Sequence, residues 1–228
     1  MGVRASVVAV ASCAFPAVVA GACTLTTDLT GLSGGTSSGG ASSSGGVDGG
    51  RVAEGGTSEG GRPGCVDKTS KKRGGVVVLV PGAAATWSDP EGALAADDRS
   101  VAEARIASGL QASPLLVRQF GFAIPSGAVV KGVTATVRKR GDEELRDDTV
   151  RLQVAGVPAG QDRKLPGGWK IGFSTSTYGG PADRWGLDLT PDVVNGETFG
   201  LAFNARHEGA GNSLAEVDEV ALEVTYCE

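Results

Sequence analysis

Residues 220–226 read Val-Ala-Leu-Glu-Val-Thr-Tyr, and residues 133–138 read Val-Thr-Ala-Thr-Val-Arg. In both stretches apolar side chains occupy every second position, with small or polar side chains between them. A period of two is typical of a β-strand, because successive side chains of a strand point to opposite faces. Both stretches therefore predict strands that bury one face and expose the other.

The same alternation, or a short β-branched run, recurs along the last two thirds of the chain. Residues 150–154 and 199–206 share the alternation, and residues 76–80 form a short β-branched run. Turn signals such as Pro125-Ser126-Gly127 and Gly179-Gly180-Pro181 lie between the stretches. Only residues 91–106, which are rich in Ala and charged residues, suggest a helical turn. Many short strands separated by turns predict an all-β fold, a two-sheet antiparallel β-sandwich.

The first 22 residues have the composition of a targeting segment. Met1 to Arg4 gives a positive start, and residues 5–22 carry no charge. This pattern predicts a secretory signal peptide over residues 1–22. A transmembrane anchor is the alternative, since the uncharged run approaches spanning length. Ala, Ser and Gly dilute the run, and no basic cluster follows it, which favours the signal peptide.

Residues 19–23 read Val-Ala-Gly-Ala-Cys. This stretch resembles the lipobox of bacterial lipoproteins, although Ala20 stands where that family prefers Leu. The resemblance implies that Cys23 is acylated and holds the exported chain to the cell envelope, and Thr24 after it points to the outer membrane. Cys13 fits the short pattern too, but leaves only a brief apolar run before the cut. An ordinary secreted protein with a spare thiol is the other alternative.

A tether is predicted between the lipid and the domain. Of residues 31–64, 23 of 34 are Gly, Ser or Thr. A segment of this composition buries too little apolar surface to order itself, so residues 23–64 are expected to be disordered. The folded domain is then residues 65–228, with Cys65 and Cys227 at its two edges. In an exported chain these two cysteines predict a disulfide. The alternative, a reactive or metal-binding thiol pair, has no neighbouring His ligands.

Several motifs follow one another in an order that carries a second resemblance. Residues 120–125 read Phe-Gly-Phe-Ala-Ile-Pro, residues 178–186 read Tyr-Gly-Gly-Pro-Ala-Asp-Arg-Trp-Gly, and residues 199–203 read Phe-Gly-Leu-Ala-Phe. Together they resemble a jelly-roll-like module found in uncharacterised phage structural and bacterial surface proteins. The resemblance covers residues 75–226. It implies a fold and a location at a surface, and it assigns no site.

Charge and motif content exclude several classes of function. The net charge is −5, and from residue 75 onward 14 Lys and Arg stand against 21 Asp and Glu, a net of −7. A surface of this sign repels phosphate, so nucleic acid is not expected as a partner. The phosphate-binding GxxxxGK and zinc-protease HExxH signatures are absent. His207 is the one histidine, interpreted as a solvated strand end, which leaves little material for a Ser-His-Asp triad.

Aromatic residues are the first candidates for ligand binding. Trp169, Trp185 and Tyr178 stack on sugar faces if they are exposed, and seal the core if they are not. Trp169, which follows two glycines, is the one expected at the surface. The chain is therefore predicted to be a non-catalytic binding or structural module whose partner is a glycan or a cell-surface protein. A passive envelope component is the alternative, and a carbohydrate-active enzyme is a further one.

Acidic residues in predicted loops are the second candidates. Asp183 and Asp188 lie in a Gly-rich segment, and calcium takes several oxygen ligands from carboxylates and loop carbonyls. The two residues are hypothesised to hold a structural calcium ion, with solvated loop charges as the alternative. No other cofactor is predicted.

Overall fold

A computed structural model describes residues 64–82, 85–96 and 99–228 of the chain. The predicted signal peptide, the predicted acylation site Cys23 and all but the last residue of the predicted tether lie outside the described residues. The three described ranges cover most of the domain predicted over residues 65–228.

Strands dominate the described part of the chain, which also holds two short helical elements: a 3₁₀ turn at Pro90–Ala93 and one α-helix, α1 (Pro191–Asn195). The ten strands are β1 (Asp67–Arg73), β2 (Val76–Leu79), β3 (Ala102–Ala107), β4 (Leu115–Arg118), β5 (Val129–Arg140), β6 (Leu145–Val154), β7 (Val157–Ala159), β8 (Ser174–Gly179), β9 (Gly200–His207) and β10 (Asn212–Cys227).

The strands of this region form two antiparallel sheets. Sheet A has the order β1-β10-β5-β8, and β3 also pairs with β10. Sheet B has the order β2-β4-β9-β6-β7. Buried apolar side chains from both sheets join in one hydrophobic cluster between them. The all-β, two-sheet antiparallel sandwich predicted from the sequence is confirmed.

Most connections cross from one sheet to the other. The chain passes from β4 in sheet B to β5 in sheet A, returns to β6 in sheet B, and crosses again at β8, β9 and β10. The first strand, β1, and the last, β10, are neighbours. This alternation between two antiparallel sheets is the connectivity of a jelly roll.

Alternation along β5 works as the sequence predicts. Val133, Ala135 and Val137 are fully buried in the core, whereas Thr134 and Thr136 between them are partly exposed. Burying a large aliphatic side chain such as that of Val133 or Val137 contributes about 1.5–3 kcal/mol. The hydrophobic period therefore fixes which face of sheet A meets the core.

A disulfide joins Cys65 and Cys227 at one end of the β1–β10 pair of sheet A. Their Cα atoms lie 5.3 Å apart, a separation that suits a disulfide. The pairing of β1 with β10 sets this distance, because Asp67 lies opposite Cys227 in the ladder. The predicted disulfide is confirmed, and it spans 162 residues of sequence.

Helical structure is sparse. The helical turn expected within residues 91–106 is supplied by the 3₁₀ turn at Pro90–Ala93, while Ala102–Ala107 forms strand β3. The sequence does not predict α1. This helix begins after its N-cap residue Thr190, whose Oγ1 accepts a hydrogen bond from the Val193 amide at 3.3 Å. Within the described ranges no helix is long and apolar enough to cross a bilayer.

Candidate ligand-binding cleft

The solvent-facing side of sheet A carries a cleft of about 490 Å³. This volume lies within the range of about 300–1,000 Å³ that small-molecule sites occupy. Its walls come from β3, β10 and β5 and from the segments that precede β3 and β8. The residues that line it are Arg99, Val101, Glu103, Arg138, Arg140, Phe173, Glu216 and Asp218.

Strand alternation and one β-bulge place the charged side chains of the cleft. Arg138 and Arg140 alternate with inward-facing residues of β5 and therefore point away from the core. Glu216 lies opposite Arg140 in the β10–β5 ladder. The ladder then shifts register between Val217 and Glu219, which leaves Asp218 as an extra residue in β10. A bulge re-aims side chains, and here Asp218 faces Arg138.

Two ion pairs order these side chains. Arg140 donates from Nε and Nη2 to the two carboxylate oxygens of Glu216, each at 2.6 Å, a bidentate arrangement. Arg138 is hydrogen-bonded to Asp218. Hydrogen bonding to Glu216 raises the pKa of Arg140, and the nearby charges of Glu103 and Asp218 add to the effect against desolvation. The guanidinium groups are thus held in fixed orientations.

Phe173 completes one wall of the cleft from the segment just before β8. The Cζ atoms of Arg138 and Arg140 lie 4.8 and 4.4 Å from the centre of its ring, within the range of cation–π contacts. The ring is partly exposed. It therefore supplies apolar surface to the cleft and keeps both guanidinium planes in place.

The formal charges of the cleft cancel. Three guanidinium groups stand against three carboxylates, and Glu103 of β3 lies directly opposite Glu216 of β10. Guanidinium groups only donate hydrogen bonds and ionised carboxylates only accept them. A ligand whose groups do both, such as a hydroxyl, finds partners of each kind here. The arrangement fits a neutral polar ligand better than an ion.

The aromatic residues singled out from the sequence lie in the core. Trp169 is 4% exposed, Tyr178 1% and Trp185 0%. The expectation that Trp169 is at the surface is wrong, because its indole packs 5.9 Å from the ring centre of Phe203. Trp185 donates from Nε1 to the backbone carbonyl of Val133 at 2.8 Å. In these positions none of the three presents a free ring face to a sugar.

The two acids proposed as calcium ligands each contact an arginine. Asp183 Oδ1 accepts hydrogen bonds from Arg163 Nη2 at 2.7 Å and from the Trp185 amide at 2.8 Å. Asp188 is highly exposed and pairs with Arg184 at 2.8 Å. These contacts give both carboxylates a positive partner within the protein. Calcium binding there stays a prediction.

Asp142, Glu144 and His207 form a different group, in which the potential ligand atoms lie within 4.8 Å of one another. The interpretation of His207 as a solvated strand end is wrong, because the residue is 1% exposed. It ends β9 two residues after the buried Ala205, so the period of the strand turns its ring inward. Its Nε2 lies 3.4 Å from Glu144 Oε2.

Comparison with known proteins gives no family for the chain. No protein-family model matches it, and no curated protein matches it either.

Proposed function

We propose that this chain displays a non-catalytic β-sandwich module that binds a neutral, hydroxyl-rich ligand, a glycan, in the cleft of sheet A. The charge-balanced lining of the cleft carries the proposal. Planar donors on Arg138 and Arg140 and acceptors on Glu216 and Asp218 complement the paired hydroxyls of a sugar. Phe173 offers apolar contact for the carbon–hydrogen face of a pyranose ring.

The arrangement of the carboxylates favours binding over hydrolysis. Glycoside hydrolysis needs one carboxylic acid that delivers a proton to the leaving oxygen. In the cleft, Arg140 engages both oxygens of Glu216, and Arg138 engages Asp218. Glu216 and Asp218 are two of the three carboxylates in the cleft, and Glu103 is the third. The pairing of Glu216 and Asp218 with guanidinium groups favours hydrogen-bond acceptance over proton delivery. This is why we place the chain among binding modules and not among carbohydrate-active enzymes.

The proposed setting is the outside of a bacterial cell, where lipid on Cys23 holds the chain and the Gly- and Ser-rich tether lets the domain search. Binding by an open sheet face is weak per site, so many copies on one membrane would supply avidity. Replacing Cys23 with Ser should release the protein from the membrane fraction and abolish acyl labelling. Labelling that survives this change and is lost in Cys13→Ser would move the anchor to the other cysteine.

A glycan array probed with the exported Cys23→Ser chain tests the binding proposal. We expect binding to a neutral glycan that Arg140→Ala weakens on the order of 10-fold or more, the loss of a charge-assisted hydrogen bond. Arg206→Ala is the matched control, because Arg206 also pairs with a glutamate, Glu208, but lies on sheet B outside the cleft. It should leave the affinity unchanged.

A second pair of variants tests the apolar wall. Phe173→Ala should weaken binding, whereas Ile171→Ala, two residues away and 80% exposed, should not. Melting curves of all four variants establish that the domain remains folded. A cleft whose variants bind every glycan as the parent does would favour the alternative of a passive envelope component. Hydrolysis of a bound glycan, lost in Glu216→Gln, would make the chain an enzyme.

A further inference from the structure

A lysine occupies an inward-facing position of β5. The inward residues Val133, Ala135 and Val137 are followed at the next inward position by Lys139, which is 4% exposed. Its Nζ lies 4.6 Å from the ring centre of Trp169, and the rings of Tyr178 and Phe203 are 5.4 and 5.1 Å away. Desolvation lowers the pKa of Lys139, against the opposing effect of the Asp147 charge. A lysine in such surroundings becomes a nucleophile more readily than a solvated one.

The partner of this amine is a buried carboxyl group on the other sheet. Asp147 of β6 contacts Lys139 Nζ through Oδ1, and its side chain is 3% exposed. The β6–β9 ladder shifts register between Asp147 and Thr149. This bulge lets Asp147 face the core while Val150 and Leu152 beyond it also face the core. Amine and carboxyl are therefore held against each other by the two sheets.

Hydrogen bonds distinguish the two oxygens of Asp147. Oδ1 accepts from Trp169 Nε1 at 3.0 Å, and Oδ2 accepts from the Tyr178 hydroxyl at 2.9 Å. The same hydroxyl accepts from Lys139 Nζ at 2.6 Å. Tyr178 therefore connects the amine to Oδ2 and can pass protons between them. The Trp169 N–H is placed to stabilise negative charge that develops on Oδ1.

We propose that Lys139 and Asp147 condense to an intramolecular amide that cross-links β5 of sheet A to β6 of sheet B. Lys139 Nζ forms a bond to Cγ of Asp147, and the Cγ–Oδ2 bond breaks. The ammonium and carboxylate hold three protons between them. One stays on the amide nitrogen, and two travel through the Tyr178 hydroxyl to Oδ2, which leaves as water. The step needs no oxidant, reductant or co-reactant.

Orientation and burial both favour this condensation. Well-oriented reacting groups reach effective molarities of about 10⁵–10⁸ M, which offsets the low reactivity of a carboxyl group toward an amine. A buried ion pair carries a desolvation cost that a neutral amide avoids. The released water has an exit, since a cavity of about 90 Å³ adjoins both residues beneath the 165–170 segment. One water needs roughly 10–15 Å³ of such space.

Peptide mapping of the purified full-length chain tests the cross-link. After reduction, alkylation and denaturation, trypsin cuts at Arg138, Arg140, Arg146 and Arg151 but not after an acylated Lys139. We expect a branched peptide that joins residues 139–140 to residues 147–151 and is lighter than the two linear peptides together by one water. The linear 147–151 peptide should be nearly absent.

Three variants sharpen the test. Lys139→Arg keeps the charge but cannot condense, so only the linear 147–151 peptide should appear. Tyr178→Phe keeps the ring and removes the proton relay, so the branched peptide should accumulate several-fold more slowly. Asp148→Asn, at the adjacent partly exposed position, should leave its yield unchanged. Full recovery of linear 147–151 from the folded parent protein, with no branched peptide, would overturn the proposal and leave a buried ion pair.

Discussion

Trp169 Nε1 donates a hydrogen bond to Asp147 Oδ1 at 3.0 Å, which ties the segment before β8 to the beginning of β6. The segment can approach this closely because of Gly168: a Cβ atom there would lie 2.2 Å from the backbone oxygen of Glu143. The Trp169 amide also donates to the Leu145 carbonyl at 3.1 Å. Trp169 is therefore a core residue that closes one end of the sandwich.

This role predicts a large loss of stability on truncation. Trp169→Ala should lower the free energy of unfolding by about 3–5 kcal/mol, the cost of removing a buried indole. Trp169→Phe keeps one aromatic ring in the core and loses the hydrogen bond, so it should cost less than Trp169→Ala, about 1–3 kcal/mol. Urea denaturation measures both, with the exposed Ile171→Ala as a control expected within about 0.5 kcal/mol of the parent. A Trp169→Ala variant as stable as that control would contradict the core assignment.

The disulfide is expected to stabilise the domain, so a reducing agent should lower its melting temperature. Replacing Cys65 and Cys227 together with Ser should lower the free energy of unfolding by about 4–5 kcal/mol, because the bond closes a loop of 162 residues in the unfolded chain. Reduction of the parent should lower its melting temperature to that of the double variant, and reduction of the double variant should change nothing. A parent domain that melts at the same temperature in reductant would show that the bond adds no stability.

The Asp142 carboxylate is expected to contribute stability to the fold that is lost in acid. Burial opposes its ionisation, but hydrogen bonds from Ser213 and from the amides of Glu144 and Leu145 outweigh burial and hold its pKa below 3.8. The carboxylate therefore stabilises the fold above pH 3.8, and the contribution is lost as the pH falls through the lowered pKa. Asp142→Asn should cost about 1 kcal/mol at neutral pH.

The same variant should then lose less stability than the parent on acidification below pH 3.8. Unfolding free energies at a series of pH values measure the difference. Parallel pH profiles for the two proteins would mean that other carboxylates account for the acid sensitivity.

Calcium binding at Asp183 and Asp188 can be separated from the arginine contacts. We expect Asp183→Ala to lower the stability by about 1–3 kcal/mol in calcium and in chelator alike, since it removes the acceptor of Arg163 Nη2 and of the Trp185 amide. A specific calcium ion would add a further rise in the parent's melting temperature by mass action. Magnesium at equal ionic strength is the control. A rise in melting temperature that calcium causes in the parent, and that Asp188→Ala abolishes, would support calcium binding at this site.

Period-two alternation predicts the sandwich and strands β5, β6, β9 and β10, but it does not predict β1, β3, β4, β7 or β8. The apolar runs at Val133–Val137 and Val220–Tyr226 lie where the pattern puts them, in β5 and β10. The same period, continued by one step, also places Lys139 and His207 inside the core. The sequence therefore contains a signal for both buried polar residues: a polar side chain stands at a position where the strand period predicts an apolar one.

The cleft is harder to predict, because it depends on long-range pairing. Its acids come from β3 and β10, two of its arginines from β5, and Arg99 and the ring of Phe173 from loops. The bulge at Asp218 brings that acid into place. The position of a bulge is set by how two distant strands pair, which one sequence read locally does not reveal. The prediction for Trp169 failed for a related reason, since Trp169 lies in a loop and its partner Asp147 lies on strand β6.

The balanced charge of the cleft predicts that binding of a neutral glycan is insensitive to salt. Raising ionic strength from about 50 to 500 mM shortens the screening length severalfold, and it should change the affinity less than about twofold when the ligand carries no charge. Glu103→Gln leaves the shape of the cleft and gives it one net positive charge. That variant should gain affinity for acidic glycans at low salt and lose the gain at high salt, whereas Glu223→Gln, a glutamate of β10 outside the cleft, should not. Binding by the parent that weakens steeply with salt would mean that its ligand is an ion, and would contradict the proposed ligand class.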